Sequence, residues 1–172
     1  MPAPPNAVRR LKESGLRMSD RVDTQSRLIR ASAATIYRAF ATADAMEMWL
    51  PPQGMTARML TFTFAEGGAY RMRLTYNEPQ HIPGKTSEQA DEVNVRFIKL
   101  VPNERIEQAV TFTSDDSAFS GEMRIQWILQ PVENGTLVSI RCEDVPVGIR
   151  AEEHEAGLAS TLSNLAAYAE DA

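Results

Sequence analysis

The sequence predicts an α+β fold: a curved antiparallel sheet of about seven strands wrapped around a long C-terminal helix, with a cavity between them. Three observations predict it. The only long amphipathic helical stretch runs from about Arg150 to Ala169, at the end of the chain. Before it, residues 56–143 are patterned as short strands separated by turn signals. A sheet with one apolar face must cover that face, and the terminal helix is the longest element available to do so.

The elements follow in order. Residues 1–20 read as a flexible tail, because Pro2, Pro4 and Pro5 oppose helix and Val8–Leu16 offers few apolar positions. Within it, Met18 reads as an alternative translation start; an intact mass of natively expressed protein that includes residues 1–17 would refute this. Residues 21–172 are expected to form a single domain. Val22–Arg30 is the first strand. Ser32 opens a helix whose apolar stripe includes Ile36 and Phe40, and Thr42 or Asp44 caps a second short helix that ends at Trp49 before Pro51-Pro52. Thr56–Phe64 and Tyr70–Tyr76 flank Glu66-Gly67-Gly68, where glycine accepts positive φ without steric cost. In the second of these strands Tyr70, Met72, Leu74 and Tyr76 share one face, while Arg71, Arg73 and Thr75 take the other. Asn77–Ser87, with Pro79, Pro83 and Gly84, is the longest loop. Glu92–Leu100 and Arg105–Phe112 flank a Pro102-Asn103 turn; Glu122–Gln130 and Thr136–Glu143 flank Asn134-Gly135, a strong hairpin signal. Met123, Ile125, Trp127 and Leu129 point one way from their strand, with Ile128 as an exception to the alternation. The final helix places His154, Leu158, Thr161, Leu162, Leu165 and Ala169 on one face, and Glu152, Glu153 and Glu155 in its first turn complement the helix dipole. The expected order is β-α-α-β6-α.

Composition narrows the function classes. The 172 residues suffice for one well-buried core, and 43% hydrophobic with 24% charged residues is ordinary globular material. Net charge is −5 without acidic or basic blocks; residues 1–18 carry +3 and the remainder −8, which argues against a nucleic-acid surface. Cys142 is the only cysteine, so no intrachain disulfide forms, and within Leu137–Val145 it reads as a buried apolar thiol. No apolar run approaches the ~20 residues of a membrane span, and the N-terminus lacks a secretory signal. A cytoplasmic protein is expected.

No catalytic motif is legible. There is no phosphate-binding glycine loop, G-x-S-x-G elbow or H-E-x-x-H, and two histidines with one cysteine do not build an ordinary zinc site. No metal and no cofactor is expected. The residues expected to line a cavity are Trp49, Tyr70, Met72, Phe112, Trp127, His154 and Leu158. Aromatic rings and Met supply an apolar wall, with His154 and Tyr70 as polar contacts that orient a guest. Each also has a plain structural reading: Trp49 docks its helix on the sheet, the methionines fill irregular space, and His154 is satisfied by a backbone carbonyl. His81 reads as a solvated loop residue. An empty cavity is expensive. At ~24 cal/mol per Å³, a void of ~300 Å³ costs about 7 kcal/mol, against a whole-domain stability of ~5–15 kcal/mol. Side chains, water or a ligand must fill it.

Several stretches together resemble the helix-grip superfamily of START-related and polyketide-cyclase-like proteins. They are Ile29–Phe40, Trp49-Leu50-Pro51-Pro52, Phe64-Ala-Glu-Gly-Gly-Ala-Tyr70, Val101-Pro-Asn-Glu-Arg-Ile106, and His154-Glu-Ala-Gly157 leading to Leu162, Leu165 and Tyr168. The nearest group resembles the C-terminal domain of the heat-shock-protein-90 ATPase activator, over about Asp23–Ala169. Two departures stand out: Leu158 replaces a Trp common in that group, leaving more room, and Glu92–Leu100 lacks a glycine common near its start. The resemblance implies a sheet gripping the C-terminal helix over an apolar cavity, without implying one activity. The leading expectation is a protein that binds a small hydrophobic molecule (lipid, aromatic or polyketide-like) in that cavity. The alternatives are a cyclase- or hydrolase-like enzyme with His154 or Glu92 as general base, and a protein that acts on a chaperone or regulator. A homodimer is compatible with each.

Overall fold

The computed structural model describes residues 21–77, 90–113 and 116–172. The expected tail, the Met18 start and the loop carrying His81 lie outside the described residues. Among those described, seven strands form one antiparallel sheet: β1 (Val22–Ile29), β2 (Met55–Phe62), β3 (Ala69–Tyr76), β4 (Ala90–Val101), β5 (Arg105–Phe112), β6 (Met123–Val132) and β7 (Gly135–Glu143). Their spatial order is β1-β7-β6-β5-β4-β3-β2. Strands β2 to β7 therefore form a meander, and only β1 crosses over to pair with β7 at the far end. Register shifts at Met59/Thr61 and Phe97/Lys99 interrupt the ladder, and such bulges bend the strands and curve the sheet.

Helices α1 (Ala33–Arg38) and α2 (Ala43–Trp49) fill the β1–β2 crossover. Ser32 Oγ accepts the Thr35 N–H at 3.1 Å, and Thr42 Oγ1 accepts the Ala45 N–H at 3.2 Å. Thr42, rather than Asp44, is therefore the cap of α2. Helix α3 (Ala151–Glu170) closes the chain and starts at Arg150 without a side-chain cap; Glu152 and Glu153 in its first turn supply the negative charge that a helix N-terminus favours.

The hairpins form where the turn residues allow, with one shift. Gly135 already pairs with Val132, so Glu133 and Asn134 make the turn, and Asn134 takes φ 70°. Asn134-Gly135 is thus offset by one residue from the expected turn. Gly135 is required for a different reason: a Cβ there would meet the Ile29 carbonyl oxygen at 2.3 Å. In the Pro102-Asn103 turn, Asn103 takes φ 63° and the Glu104 N–H donates to the Val101 carbonyl at 3.0 Å.

Helix α3 packs chiefly along edge strand β1, with smaller contacts to α1 and α2. Its C-terminal end is held where Glu170 accepts the Arg30 N–H at 3.0 Å and Asn164 Nδ2 donates to the Pro51 carbonyl at 3.2 Å. Its buried stripe is Leu158, Leu162, Leu165, Ala166 and Ala169; each fully buried Leu contributes roughly 1.5–3 kcal/mol. Near α2, Phe40, Trp49 and Trp127 meet edge to face, with centroids 4.9–5.8 Å apart, the geometry that aromatic quadrupoles favour. This end of the core is tightly filled.

Candidate functional site

Strand alternation assembles the inner face of the sheet. The pairings Tyr70↔Val95, Val95↔Val110 and Val110↔Met123 set four apolar side chains in a transverse row across β3, β4, β5 and β6. Beside it lies a second row, Phe97↔Gln108, Gln108↔Ile125, Ile125↔Cys142 and Cys142↔Asp23. Packing along these rows is uneven. Phe40, Phe97 and Ile106 have no accessible surface, whereas Tyr70, Met72, Val110 and Met123 keep 4% each, Trp127 5% and Leu158 8%. Val93, Leu74 and Phe112, toward the β3 C-terminal end, and Ile125, beside Gln108, are only partly buried. The N-terminal half of α3 brings Leu158 and His154 to the β1 edge of this face.

Its polar equipment is sparse. Gln108 lies 97% out of solvent, since only 3% of it is exposed. Its Oε1 accepts the Trp127 indole N–H at 3.2 Å, and its Nε2 has no partner. Because an indole nitrogen only donates, the amide oxygen must face Trp127 and the NH₂ must turn away from it. Tyr70 lies beside that amide. Burial pushes its hydroxyl well above the usual phenol range, and the neighbouring Gln108 partly offsets the shift. Tyr70 therefore stays a neutral O–H.

At the α3 edge, His154 Nδ1 lies 2.6 Å from Asp23 Oδ2, with both side chains 12% exposed. The same carboxylate oxygen is 3.1 Å from Arg21 Nη2. A carboxylate at Nδ1 holds the proton on that nitrogen and leaves Nε2 as the acceptor. The expected carbonyl partner of His154 is thus replaced by a carboxylate from β1. Cys142, across from Asp23, is fully buried, and burial followed by the Asp23 charge pushes its thiol up to about 12. Such a thiol is inert as a nucleophile.

The expected lining residues divide. Tyr70, Met72, Phe112 and Trp127 share the inner face of β3, β5 and β6, and His154 and Leu158 lie in the N-terminal half of α3. Trp49 sits on α2, where its Nε1 donates to the Ala39 carbonyl at 2.9 Å and its ring meets Phe40 and Trp127 edge to face. Glu92, weighed as a general base, turns to the opposite face. It lies 2.8 Å from Arg71 and 3.6 Å from Arg73, because its neighbours Val93 and Val95 take the inward positions. Gln108 and Asp23 went unread in the sequence. Gln108 carried a usable signal, since it sits in phase with Ile106 and Val110 on an otherwise apolar face. Asp23 carried none.

Among the described residues, no three His, Cys, Asp or Glu side chains converge as metal ligands would, and no helix is long and apolar enough to cross a membrane. The curved antiparallel sheet with a long C-terminal helix lying across it defines a helix-grip protein. A family profile described as activator of Hsp90 ATPase homolog 1-like protein matches residues 30–170. The chain belongs to that family. Among solved structures, protein CV1439 of Chromobacterium violaceum is 32% identical and superposes with a TM-score of 0.75, over 87% of this chain and 96% of that one. A protein of Rhodobacter sphaeroides is 17% identical with a TM-score of 0.70, covering 88% and 95%. Protein MLL2253 of Mesorhizobium loti is 16% identical with a TM-score of 0.68, covering 88% and 98%. The last two share the fold alone. No curated protein matches the chain.

Proposed function

We propose that this protein binds a small hydrophobic molecule in the concavity between strands β3–β6 and the N-terminal half of α3. The observation that supports the reading is the small accessible surface kept by Tyr70, Met72, Val110, Met123, Trp127 and Leu158 while Phe97 and Ile106 are fully sealed. Apolar walls with a few convergent polar groups are what small-molecule sites present, and the family's fold accommodates such cavities. Native mass spectrometry of protein purified from its own host tests the reading. A bound species of a few hundred daltons is expected; apoprotein alone, with no thermal shift from a lipid and aromatic library, overturns it.

A second reading, an enzyme acting on that same guest, is favoured by one observation, the 2.6 Å contact between His154 and Asp23. An imidazole oriented by a carboxylate, with Nε2 left as acceptor, is equipped for proton abstraction. Turnover of the identified guest that disappears in His154→Gln while binding persists would establish it. A chaperone partner, as the family description suggests, is tested by pull-down against Hsp90. The site for it would be the open groove of about 650 Å³ lined by Met48, Pro51, Pro52, Asn164 and Tyr168.

A further inference from the structure

We propose that the concavity selects guests that carry a neutral hydrogen-bond acceptor, a ketone, ester or amide carbonyl, which docks on the Gln108 amide N–H₂ with the Tyr70 hydroxyl beside it. The inference rests on the binding reading above and deepens it by naming the chemistry of the guest.

The argument begins with an unpaired donor. Gln108 is the one buried polar side chain among the apolar residues of β5's inner face. Its oxygen is committed to Trp127, so both N–H groups point elsewhere; the Tyr70 hydroxyl is near enough to feel the amide, but no protein acceptor closes a hydrogen bond on either N–H. Buried polar groups are nearly always satisfied, and one left unpaired carries its full desolvation cost. A Met or Leu at 108 would be tolerated better by an apolar row if packing were the only demand. The unpaired N–H₂ belongs to the row that includes Ile125, next to the row of Tyr70, Val95, Val110 and Met123 where accessible surface persists. The donor therefore faces the space a guest would fill.

Charge decides which acceptor. Gln108 is flanked across the inner face by Phe97 and Ile125, with Ile106 and Val110 along its own strand. Arg21 and His154 are both held at Asp23 on the sheet edge. A carboxylate guest would enter the apolar row without a counter-charge, which is costly. A carbonyl oxygen needs none, and it has two lone pairs to receive one N–H from Gln108 and the O–H of Tyr70. Tyr70 stays protonated in this setting, so it too presents a donor.

The test uses two probes of near-equal size, 1-indanone and its hydrocarbon parent indane, with affinities read by chemical-shift titration on the full chain. Indanone is expected to bind about tenfold more tightly, the gain of one added hydrogen bond. In Gln108→Met the two probes should bind alike, with indane affinity retained. Since that change also strips Trp127 of its acceptor, Gln108→Met is repeated in a Trp127→Phe background, where the same loss of preference is expected against Trp127→Phe alone. Equal binding of both probes to the unaltered protein overturns the carbonyl inference and leaves the binding reading standing. Binding of neither probe, together with apoprotein alone in native mass spectra, overturns both. A preference that survives Gln108→Met places the acceptor elsewhere and also overturns it.

Discussion

At the scale of single residues, the chemistry is set by which side chains are sealed and which are paired. Cys142 illustrates sealing. Its thiol is pushed up to about 12 by burial and by Asp23, so the folded state holds the proton more tightly than the unfolded chain does. The stabilisation from this group is complete below the unfolded thiol value near ~8.5 and is lost as pH rises from there toward about 12, at up to ~1.4 kcal/mol per pH unit. Tyr70 adds a loss of the same sign above ~10. Urea midpoints should therefore fall as pH rises above ~9, and Cys142→Ala should flatten the first part of that decline; an unchanged slope would refute the assignment. The native thiol should also resist an aromatic disulfide reagent at neutral pH and react only on unfolding. His154 illustrates pairing. Removing its contact to Asp23 leaves a carboxylate that is 12% exposed and that keeps Arg21 as its remaining ion-pair partner. His154→Ala should cost about 1.5–3 kcal/mol in urea unfolding. Nitrogen shifts of the imidazole should report protonation at Nδ1 in the neutral ring.

At the scale of elements, α3 is asymmetric. Its C-terminal half is packed and anchored: Leu165 is fully buried, and Glu170 and Asn164 are tied to the chain at Arg30 and Pro51. Its N-terminal half carries Leu158, which keeps 8% of its surface accessible. Leu165→Ala should cost about 2–5 kcal/mol because it opens a cavity in filled core. Leu158→Ala should cost distinctly less, since part of the side chain's surface already lacks neighbours, and it should widen the range of guests. Equal costs in chemical denaturation would mean that the two ends are packed alike. The β6–β7 hairpin carries a constraint of its own. Gly135→Ala drives a methyl into the Ile29 carbonyl, 2.3 Å away, and should loosen the β1–β7 edge; hydrogen exchange of the Ile29 and Thr136 amides would show it.

At the scale of the whole molecule, the proposed guest makes stability depend on occupancy. If the concavity holds a guest in the cell, protein isolated natively should be more stable than the same protein unfolded, washed and refolded. At a guest concentration of about 100 Kd the difference is about 2.7 kcal/mol, or roughly 5–10 °C in Tm for a chain of this length. Adding host extract back should restore it; identical melting of the two preparations would count against an endogenous guest. Much of this architecture was readable from local pattern. Period-two alternation located β3 and β6 and their inward faces, the Ser32 and Thr42 hydroxyls marked helix starts, and the 3.6-residue stripe from Leu158 to Ala169 marked α3. These signals are short-range, since each depends on residues a few positions apart along one element. The contact between Asp23 and His154, separated by 131 positions, leaves no such trace. Neither does the contact of Trp49 with Phe40 and Trp127, which follows from the docking of α2. The sequence by itself determined the strands, the closing helix and the apolar face that joins them. Only the tertiary structure decided which distant residues meet across that face, because strand order, two bulges and the packing of α3 along β1 set the distances between layers.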